Sequence, residues 1–231
     1  MVLKGWFMNV LSRVLAGLWL IAIAVSGQET KPADMKPLFL PPPQIEGGRP
    51  LMQVLKERKT GREFSTDGLP IQMLSNLLWA AWGVNRDDGR RTAPSSRNRQ
   101  EIDVYVALAE GLFLYNAKDH RLDPILVGDV RAATAGKQPW AGQAPLSLVY
   151  VADQAKMGGP DDATAFVDTG FISQNVYLYS ASEGLATVVH EIPDRVTLGK
   201  AMKLRPEQRI TLAQAVGYPK KAQPSTKAVR D

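Results

Sequence analysis

The segment that most constrains the fold is a nearly continuous apolar run from Ala144 to Ala152. It is short and rich in β-forming residues, which is typical of a strand buried on both faces. Such a strand belongs to a sheet against which other elements pack. Alternation and turn residues predict further strands over Ile102 to Ala109 and Leu112 to Tyr115, as a hairpin about Glu110-Gly111, and over Leu185 to Val189 and Arg209 to Val216.

Helical spacing predicts five helices around these strands. They are one with Leu51, Val54 and Leu55 on its apolar face after Pro50, one from Ile71 to Trp82, one from Arg121 to Ala135, a long one from Asp161 to about Ser182, and one from Pro193 to Leu204. The order of elements predicts an α+β sandwich in which helices flank one mainly antiparallel sheet. On the long helix, an apolar stripe that includes Val167, Phe171 and Gln174 is predicted to face the core, where the amide must pair with another helix or a ligand.

Composition excludes several classes of function. The 231 residues are enough for one large domain or two small ones, and they include no cysteine, so disulfides, catalytic thiols and thiolate metal sites are excluded. The net charge of +5 is modest, and the basic residues are scattered rather than striped along one helix. A nucleic-acid partner is therefore not expected.

The first 27 residues differ from everything after them. An uncharged run from Val14 to Ser26 follows a basic start and is too short to span a bilayer comfortably, but it suits the apolar region of a secretory signal. We expect residues 1–27 to be a signal peptide, and the protein to be exported to the bacterial periplasm. The alternative is an uncleaved N-terminal membrane anchor. The remaining chain is predicted to comprise an extended Pro/Gly-rich lead-in (28–50), a folded domain (51–219) and a basic tail (220–231).

Two polar segments are candidates for ligand contact. Arg58-Lys59-Thr60-Gly61-Arg62-Glu63-Phe64 places three cations and a hydroxyl within five residues, which can share the oxygens of one phosphate dianion. Thr92-Ala93-Pro94-Ser95-Ser96-Arg97-Asn98-Arg99-Gln100 offers short donors and acceptors suited to a planar ligand. From the residues alone, the first also fits a solvated helix end and the second an ordinary loop.

Four motifs, in this order, resemble the nitroreductase superfamily of FMN flavoproteins, and most closely its SagB-type branch. They are Arg58 to Phe64, similar to Arg-Arg-Ser-x-Arg-x-Phe; Pro94 to Gln100, matching Pro-Ser-x-x-Asn-x-Gln; Gly184 to Glu191, similar to the family's Gly-Leu-x-x-x strand; and Val216-Gly217-Tyr218-Pro219, similar to its closing Val-Gly-Tyr-Pro. The lead-in Leu40-Pro41-Pro42-Pro43 resembles the start of the SagB-type branch.

The resemblance implies a nitroreductase-like fold that binds FMN at a homodimer interface. It assigns the FMN contacts to Arg58, Lys59, Thr60 and Arg62 at the phosphate and ribityl chain, to Pro94, Ser95, Ser96 and Asn98 from the other subunit, and to Gln138, Val189, His190 and Glu191 near the ring. A second phosphate-binding cation is expected from the tail, with Lys227 or Arg230 as candidates. Because the flavin carries the chemistry, no catalytic residue is assigned. His190 and Glu191 are the candidates near the ring, and the alternative for His190 is a packing role.

The function implied is two-step electron transfer through FMN to a nitro, quinone or similar small-molecule acceptor. The electron donor stays open, because NAD(P)H is cytoplasmic and the protein is expected to be exported. A second interpretation is a SagB-type dehydrogenase that oxidises an azoline-like substrate. A third is a flavin-binding or redox-partner protein without turnover of its own.

Overall fold

A computed structural model of the protein describes residues 35–192 and 194–221. They contain a seven-stranded sheet of order β1-β4-β3-β2-β5-β7-β6, and neighbouring strands are antiparallel. The strands are β1 Leu38–Phe39, β2 Ile102–Ala107, β3 Gly111–Asn116, β4 Arg121–Val127, β5 Leu146–Asp153, β6 Ala186–His190 and β7 Gln208–Gly217. All eight residues of β5 are buried between β2 and β7. The predicted α+β class and antiparallel sheet are confirmed.

Helices cover both faces of the sheet. They are α1 Leu51–Glu57, α2 Ile71–Trp82, α3 Arg131–Ala135, α4 Gln154–Met157, α5 Asp162–Glu183 and α6 Arg195–Ala201. On one face, α2 and α5 pack against the sheet through residues such as Leu78 and Ile172, and on the other face α6 packs through Leu198. None of the helices in the described residues has the length and apolar character needed to cross a membrane.

The long helix begins and ends where the sequence predicts. The Asp161 carboxylate accepts the Thr164 N–H at 3.0 Å, which caps the first turn. Gly184 ends the helix with φ of 72°, in the left-handed region that glycine adopts without strain. The predicted buried face is wrong, however. Gln174 is exposed, as are Val167 and Phe171, while the buried face carries Asp168, Ile172 and Tyr177 among others.

The predicted helix from Arg121 to Ala135 is also wrong. Its first half is the strand β4, and only Arg131–Ala135 is helical. Pro124 interrupts a helix because it has no N–H, and it lies opposite Phe113 at an irregularity of the β3 ladder. The helix predicted from Pro193 to Leu204 is shorter than expected. It is α6, which runs from Arg195 to Ala201 and is capped by the Asp194 side chain. Pro193, residues 1–34, and residues 222–231 with Lys227 and Arg230 lie outside the described residues.

Part of the lead-in packs on the domain. Leu38–Phe39 pairs with β4 as the edge strand β1. The Pro41 carbonyl accepts the buried Ser75 hydroxyl at 2.6 Å, and the Pro42 carbonyl accepts the Gln72 amide at 2.9 Å. Both donors lie on α2, so this helix holds the lead-in in place.

Candidate functional site

A cavity of about 740 Å³ opens beside the loop that follows α1. It is lined by four cationic residues and two acidic ones, namely Arg49, Lys59, Arg62 and Lys220 with Glu57 and Glu63. The charge of Glu57 is already paired, because its carboxylate accepts hydrogen bonds from both terminal guanidinium nitrogens of Arg49. Among the described residues, Arg58, Lys59 and Arg62 form no salt bridge with a carboxylate. The cavity therefore presents positive charge that an anion can neutralise.

The loop lies directly on the strand β6. The Gly61 N–H donates to the Thr187 carbonyl at 3.0 Å. A Cβ added at Gly61 would lie 2.9 Å from the Cβ of Ala186, closer than van der Waals contact permits. Only glycine allows this approach, which aims the neighbouring side chains of Thr60 and Arg62 at the cavity.

Tyr177 of α5 joins the loop to the end of β6. Its hydroxyl accepts the Val189 N–H at 3.1 Å and lies 3.3 Å from the Thr60 hydroxyl. The guanidinium carbon of Arg58 lies 5.3 Å from the centre of the Tyr177 ring, within cation–π range. Tyr177 was not among the predicted site residues, because the stripe predicted to be buried was on another face of the helix.

Trp140 connects the cationic loop to His190. Its ring lies 5.8 Å from the guanidinium carbon of Arg62 and meets the His190 ring edge to face at 5.4 Å. The Nδ1 atom of His190 is 3.1 Å from the Glu191 carbonyl and must donate, since a carbonyl only accepts. Burial lowers the pKa of His190, so its imidazole is neutral near pH 7. Its buried Nε2 then has a lone pair with no hydrogen-bond donor among the described residues.

The Thr92–Gln100 segment is held at a different place, against the N-terminal half of α5. The Ser96 N–H donates to Asp168 Oδ2 at 2.8 Å. The Ser95 hydroxyl accepts the Gln100 N–H at 3.0 Å, and Asn98 Oδ1 accepts the Gln100 side-chain amide at 3.1 Å.

This segment is absent from the lining of the 740 Å³ cavity. Asp168 and Tyr177 are nine residues apart on α5, which is about 13 Å along a helix axis. One chain therefore keeps the two predicted parts of the site separate.

The other predicted contacts are only partly brought together. Gln138 is half-buried, and its N–H caps α3 through the Ala135 carbonyl, but it does not line the cavity. Glu191 is exposed and also lies outside that lining. Lys220 was assigned only to the basic tail, yet it lines the cavity and its N–H donates to the Glu63 carbonyl at 3.1 Å.

Comparison with known proteins identifies the family. The model of the nitroreductase family matches residues 55–218. The chain belongs to the nitroreductase family. Over 151 residues it is 32% identical to a nitroreductase-like protein of Methanocaldococcus jannaschii, covering 60% of this chain and 76% of that protein.

Solved structures agree with this assignment. The crystal structure of a nitroreductase-like protein from Ralstonia eutropha superposes with a TM-score of 0.77 at 40% identity, covering 81% of this chain and 91% of that one. A nitroreductase-like protein of Desulfovibrio desulfuricans, crystallised in complex with FMN, superposes with a TM-score of 0.56 at 18% identity, covering 80% and 98% of the two chains. Family membership confirms the predicted fold and the class of FMN-dependent oxidoreductase.

Proposed function

We propose that the protein binds FMN in the cavity beside the Arg58–Phe64 loop and transfers electrons through it to a nitro, quinone or similar small-molecule acceptor. The observation that carries this proposal is that Lys59, Arg62 and Lys220 line the cavity and form no salt bridge with a carboxylate of the described residues. A phosphate monoester carries close to two negative charges near pH 7, which this group can balance.

The residues present fit the cofactor. Arg58, Lys59 and Arg62 would hold the phosphate, with the Thr60 hydroxyl as a further donor to the phosphate or ribityl chain. Lys220 lines the cavity together with Lys59 and Arg62, whereas Arg58 lies over the Tyr177 ring and is not part of that lining. When bound, FMN supplies hydride and electron transfer. The protein's own part is to hold the phosphate and to keep β6 in register with the loop through Tyr177.

The ring end of the site is assigned to Gln138, Val189, His190 and Glu191, which lie outside the lining of the 740 Å³ cavity, so the ring would extend from the cavity past the end of β6. The neutral His190, with an unprotonated Nε2, can accept a hydrogen bond but is not a ready proton donor. The Val189 N–H is already used by Tyr177, so a backbone donor to the ring must come from another residue of this loop. Lys227 or Arg230 is proposed as an additional phosphate contact.

We propose that the site is completed in a homodimer. Pro94, Ser95, Ser96 and Asn98 would reach the flavin of the partner subunit, because one chain keeps them apart from the cavity. Apolar side chains that could bury a dimer interface are exposed on α1 and α5, including Met52 at 76%, Val167 at 56% and Phe171 at 44% relative exposure.

Oxidation of an azoline-like substrate, as implied by the SagB-type resemblance, is the second candidate. It is favoured by Leu40-Pro41-Pro42-Pro43, which α2 holds in place through Ser75 and Gln72. Export through residues 1–27 stays a prediction, and so does the identity of the electron donor, with NAD(P)H as one candidate.

The proposal is tested with the purified mature protein. We expect it to show flavin absorbance, or to take up added FMN with one site per chain. After anaerobic photoreduction, nitro compounds, quinones and azoline-containing peptides are added separately, and reoxidation of the flavin is followed. A protein that takes up no FMN contradicts the proposal. Reoxidation by oxygen alone would favour a flavin-binding protein without turnover.

The homodimer is tested by light scattering of Phe171→Asp. We expect the wild type to be a dimer and the variant to be monomeric with weakened FMN binding. Val196→Asp is the matched control, because Val196 is 68% exposed on α6, on the other side of the sheet. A wild-type monomer that binds FMN fully would refute the shared site.

A further inference from the structure

Glu101 is a buried acid that the proposed function does not use. It lies between the Thr92–Gln100 segment and β2, and its relative exposure is 0%. Among the described residues, neither oxygen of its side chain has a hydrogen-bond donor. A buried carboxylate without donors is costly, so the state of this group requires an explanation.

Its neighbour is a second carboxyl group. Asp168 on α5, which is itself 3% exposed, is one of the groups that raise the pKa of Glu101, so the two buried carboxyl groups are neighbours. Two carboxylates cannot donate to each other, whereas a carboxyl and a carboxylate can share one proton in a short, strong hydrogen bond. One shared proton thus satisfies the oxygens that otherwise lack a donor.

The titration of Glu101 agrees with this geometry. Burial, and then the hydrogen bond with Asp168, raise the pKa of Glu101 to about 7, while its own backbone N–H and the charge of Arg99 act in the opposite direction. Glu101 therefore keeps its proton in the acidic to neutral range and loses it above neutrality.

The pair also holds the segment that is proposed to contact the flavin. Asp168 accepts the Ser96 N–H at 2.8 Å. The segment needs such an anchor, because Arg97, Asn98 and Gln100 all have φ near +50°, a conformation that non-glycine residues rarely adopt. Asp168 is next to Val167, one of the exposed apolar residues of α5, so the same helix turn supports the segment and the proposed dimer interface.

We propose that Glu101 and Asp168 share one proton and thereby position the Ser95–Asn98 segment for the partner subunit's flavin. Glu101 is a positioning residue in this scheme, because it acts through Asp168 and the Ser96 backbone. Release of the shared proton places two like charges side by side in a buried site, which disfavours the arrangement that binds Ser96.

Other charged groups surround the pair but do not replace the proton. Arg99 lies on the same segment, and its positive charge lowers the pKa of Glu101 and also that of Asp161 at the start of α5. Lys156 of α4 donates to the Gln100 carbonyl at 3.3 Å and to Asp103 of β2 at 3.0 Å, so its charge is already paired. None of these cations donates a hydrogen bond to Glu101 among the described contacts.

This inference rests on the proposed FMN site, and its test is FMN affinity measured against pH by quenching of flavin fluorescence. We expect the wild-type dissociation constant to rise by up to about tenfold per pH unit above about pH 7, since one proton is linked to binding. The FMN phosphate titrates near about pH 6 and acts with the opposite sign, so the range of about pH 7 to 9 isolates the pair. Glu101→Gln keeps a permanent donor to Asp168 and should bind FMN with little pH dependence.

Asp168→Asn provides a second variant, because its amide can donate to Glu101 while its carbonyl accepts the Ser96 N–H. We expect it too to flatten the pH profile. Glu110→Gln, at the exposed β2–β3 turn, is the matched control and should keep the wild-type profile. In the protein without flavin, infrared difference spectra should show a protonated carboxyl band at pH 6 that disappears at pH 9 and is absent in Glu101→Gln.

The outcomes separate the two proposals. Wild-type protein that binds no FMN at any pH refutes the proposed function, and the infrared band then still decides whether the proton is shared. FMN affinity that is constant above pH 7, or a decline that Glu101→Gln does not remove, overturns the positioning role. Absence of the carboxyl band overturns the shared proton itself.

Discussion

The Arg58–Phe64 loop and the Thr92–Gln100 segment are both short, polar and basic in sequence, yet the structure uses them in opposite ways. In the loop, Arg58, Lys59 and Arg62 form no salt bridge within the described residues, and four of its side chains border a cavity. In the segment, Ser95, Asn98 and Gln100 are bound to one another, and the backbone at Ser96 is bound to Asp168. The loop presents charge to a ligand, and the segment is organised by the protein itself.

The difference shows which interactions determine the stability of each region. Bringing three cations together is unfavourable until an anion binds, so the loop should respond strongly to FMN and to salt. The segment depends on a buried acid pair and on a backbone in the left-handed region, so it should respond to pH and to changes in α5. Each of the following predictions concerns a change that affects one region and leaves the other unaltered.

The largest effect is expected from removing charge in the loop. Arg58→Ala with Arg62→Ala should weaken FMN binding by about 3–6 kcal/mol, or at least about a hundredfold, because each charge-assisted hydrogen bond contributes roughly 1.5–3 kcal/mol. Isothermal titration with FMN measures the loss. Lys118→Ala with Lys200→Ala removes the same charge from exposed positions elsewhere and should have little effect. Equal losses in the two double variants would mean that net charge, and not this loop, binds the phosphate.

The next largest effect concerns the segment and pH. A folded pKa of about 7 against 4.5 for the free acid means that the contribution of Glu101 to stability is complete below about pH 4.5 and is lost as pH rises through 7. The lost contribution is on the order of 3 kcal/mol, at 1.36 kcal/mol per pKa unit.

Urea unfolding of the flavin-free protein at several pH values measures this term. The stability of the wild type should fall relative to Glu101→Gln across this range, whereas Glu110→Gln should follow the wild type. Parallel profiles for wild type and Glu101→Gln would show that the segment is held without the acid pair.

A smaller effect is expected from Tyr177, the residue of α5 that supports the loop. Tyr177→Phe removes the acceptor for the Val189 N–H and the contact with Thr60, which should cost about 1–2 kcal/mol of stability and weaken FMN binding. Thermal unfolding and FMN titration measure the two losses. Tyr179→Phe on the same helix is the control, since its hydroxyl donates a 3.4 Å hydrogen bond to the Met73 carbonyl and does not contact the loop. An unchanged FMN affinity in Tyr177→Phe would show that Tyr177 of α5 does not contribute to FMN binding by the loop.

The smallest effect is the response to salt. Raising sodium chloride from about 0.05 to 0.5 M should weaken FMN binding about two- to fivefold, because the loop side chains are largely exposed and their charges are screened. The pH dependence assigned to Glu101 should change less, since buried charges are screened much less. A salt-independent FMN affinity would contradict binding through the exposed cations.

Prediction from the sequence was accurate where the information is local. The Asp161 cap, the Gly184 stop and the Ile71–Trp82 helix were all predicted, because caps, proline and glycine act within a few residues. The prediction failed where a neighbouring element in the fold determines the conformation. Arg121 to Val127 is a strand because β3 and β1 lie beside it, and the predicted core stripe of α5 is exposed because the sheet packs against a different face.

The sequence by itself determined the family, the fold class and the positions of the two polar segments, since motif order, helix caps and apolar runs are written along the chain. Only the tertiary structure decided that the segments lie at different points of α5 and that Tyr177, Trp140 and Lys220 join the loop. It alone also showed that Glu101 is buried and that Asp168 accepts the Ser96 N–H. These are contacts between residues distant in sequence, and they depend on how helices pack on the sheet, which local spacing does not encode.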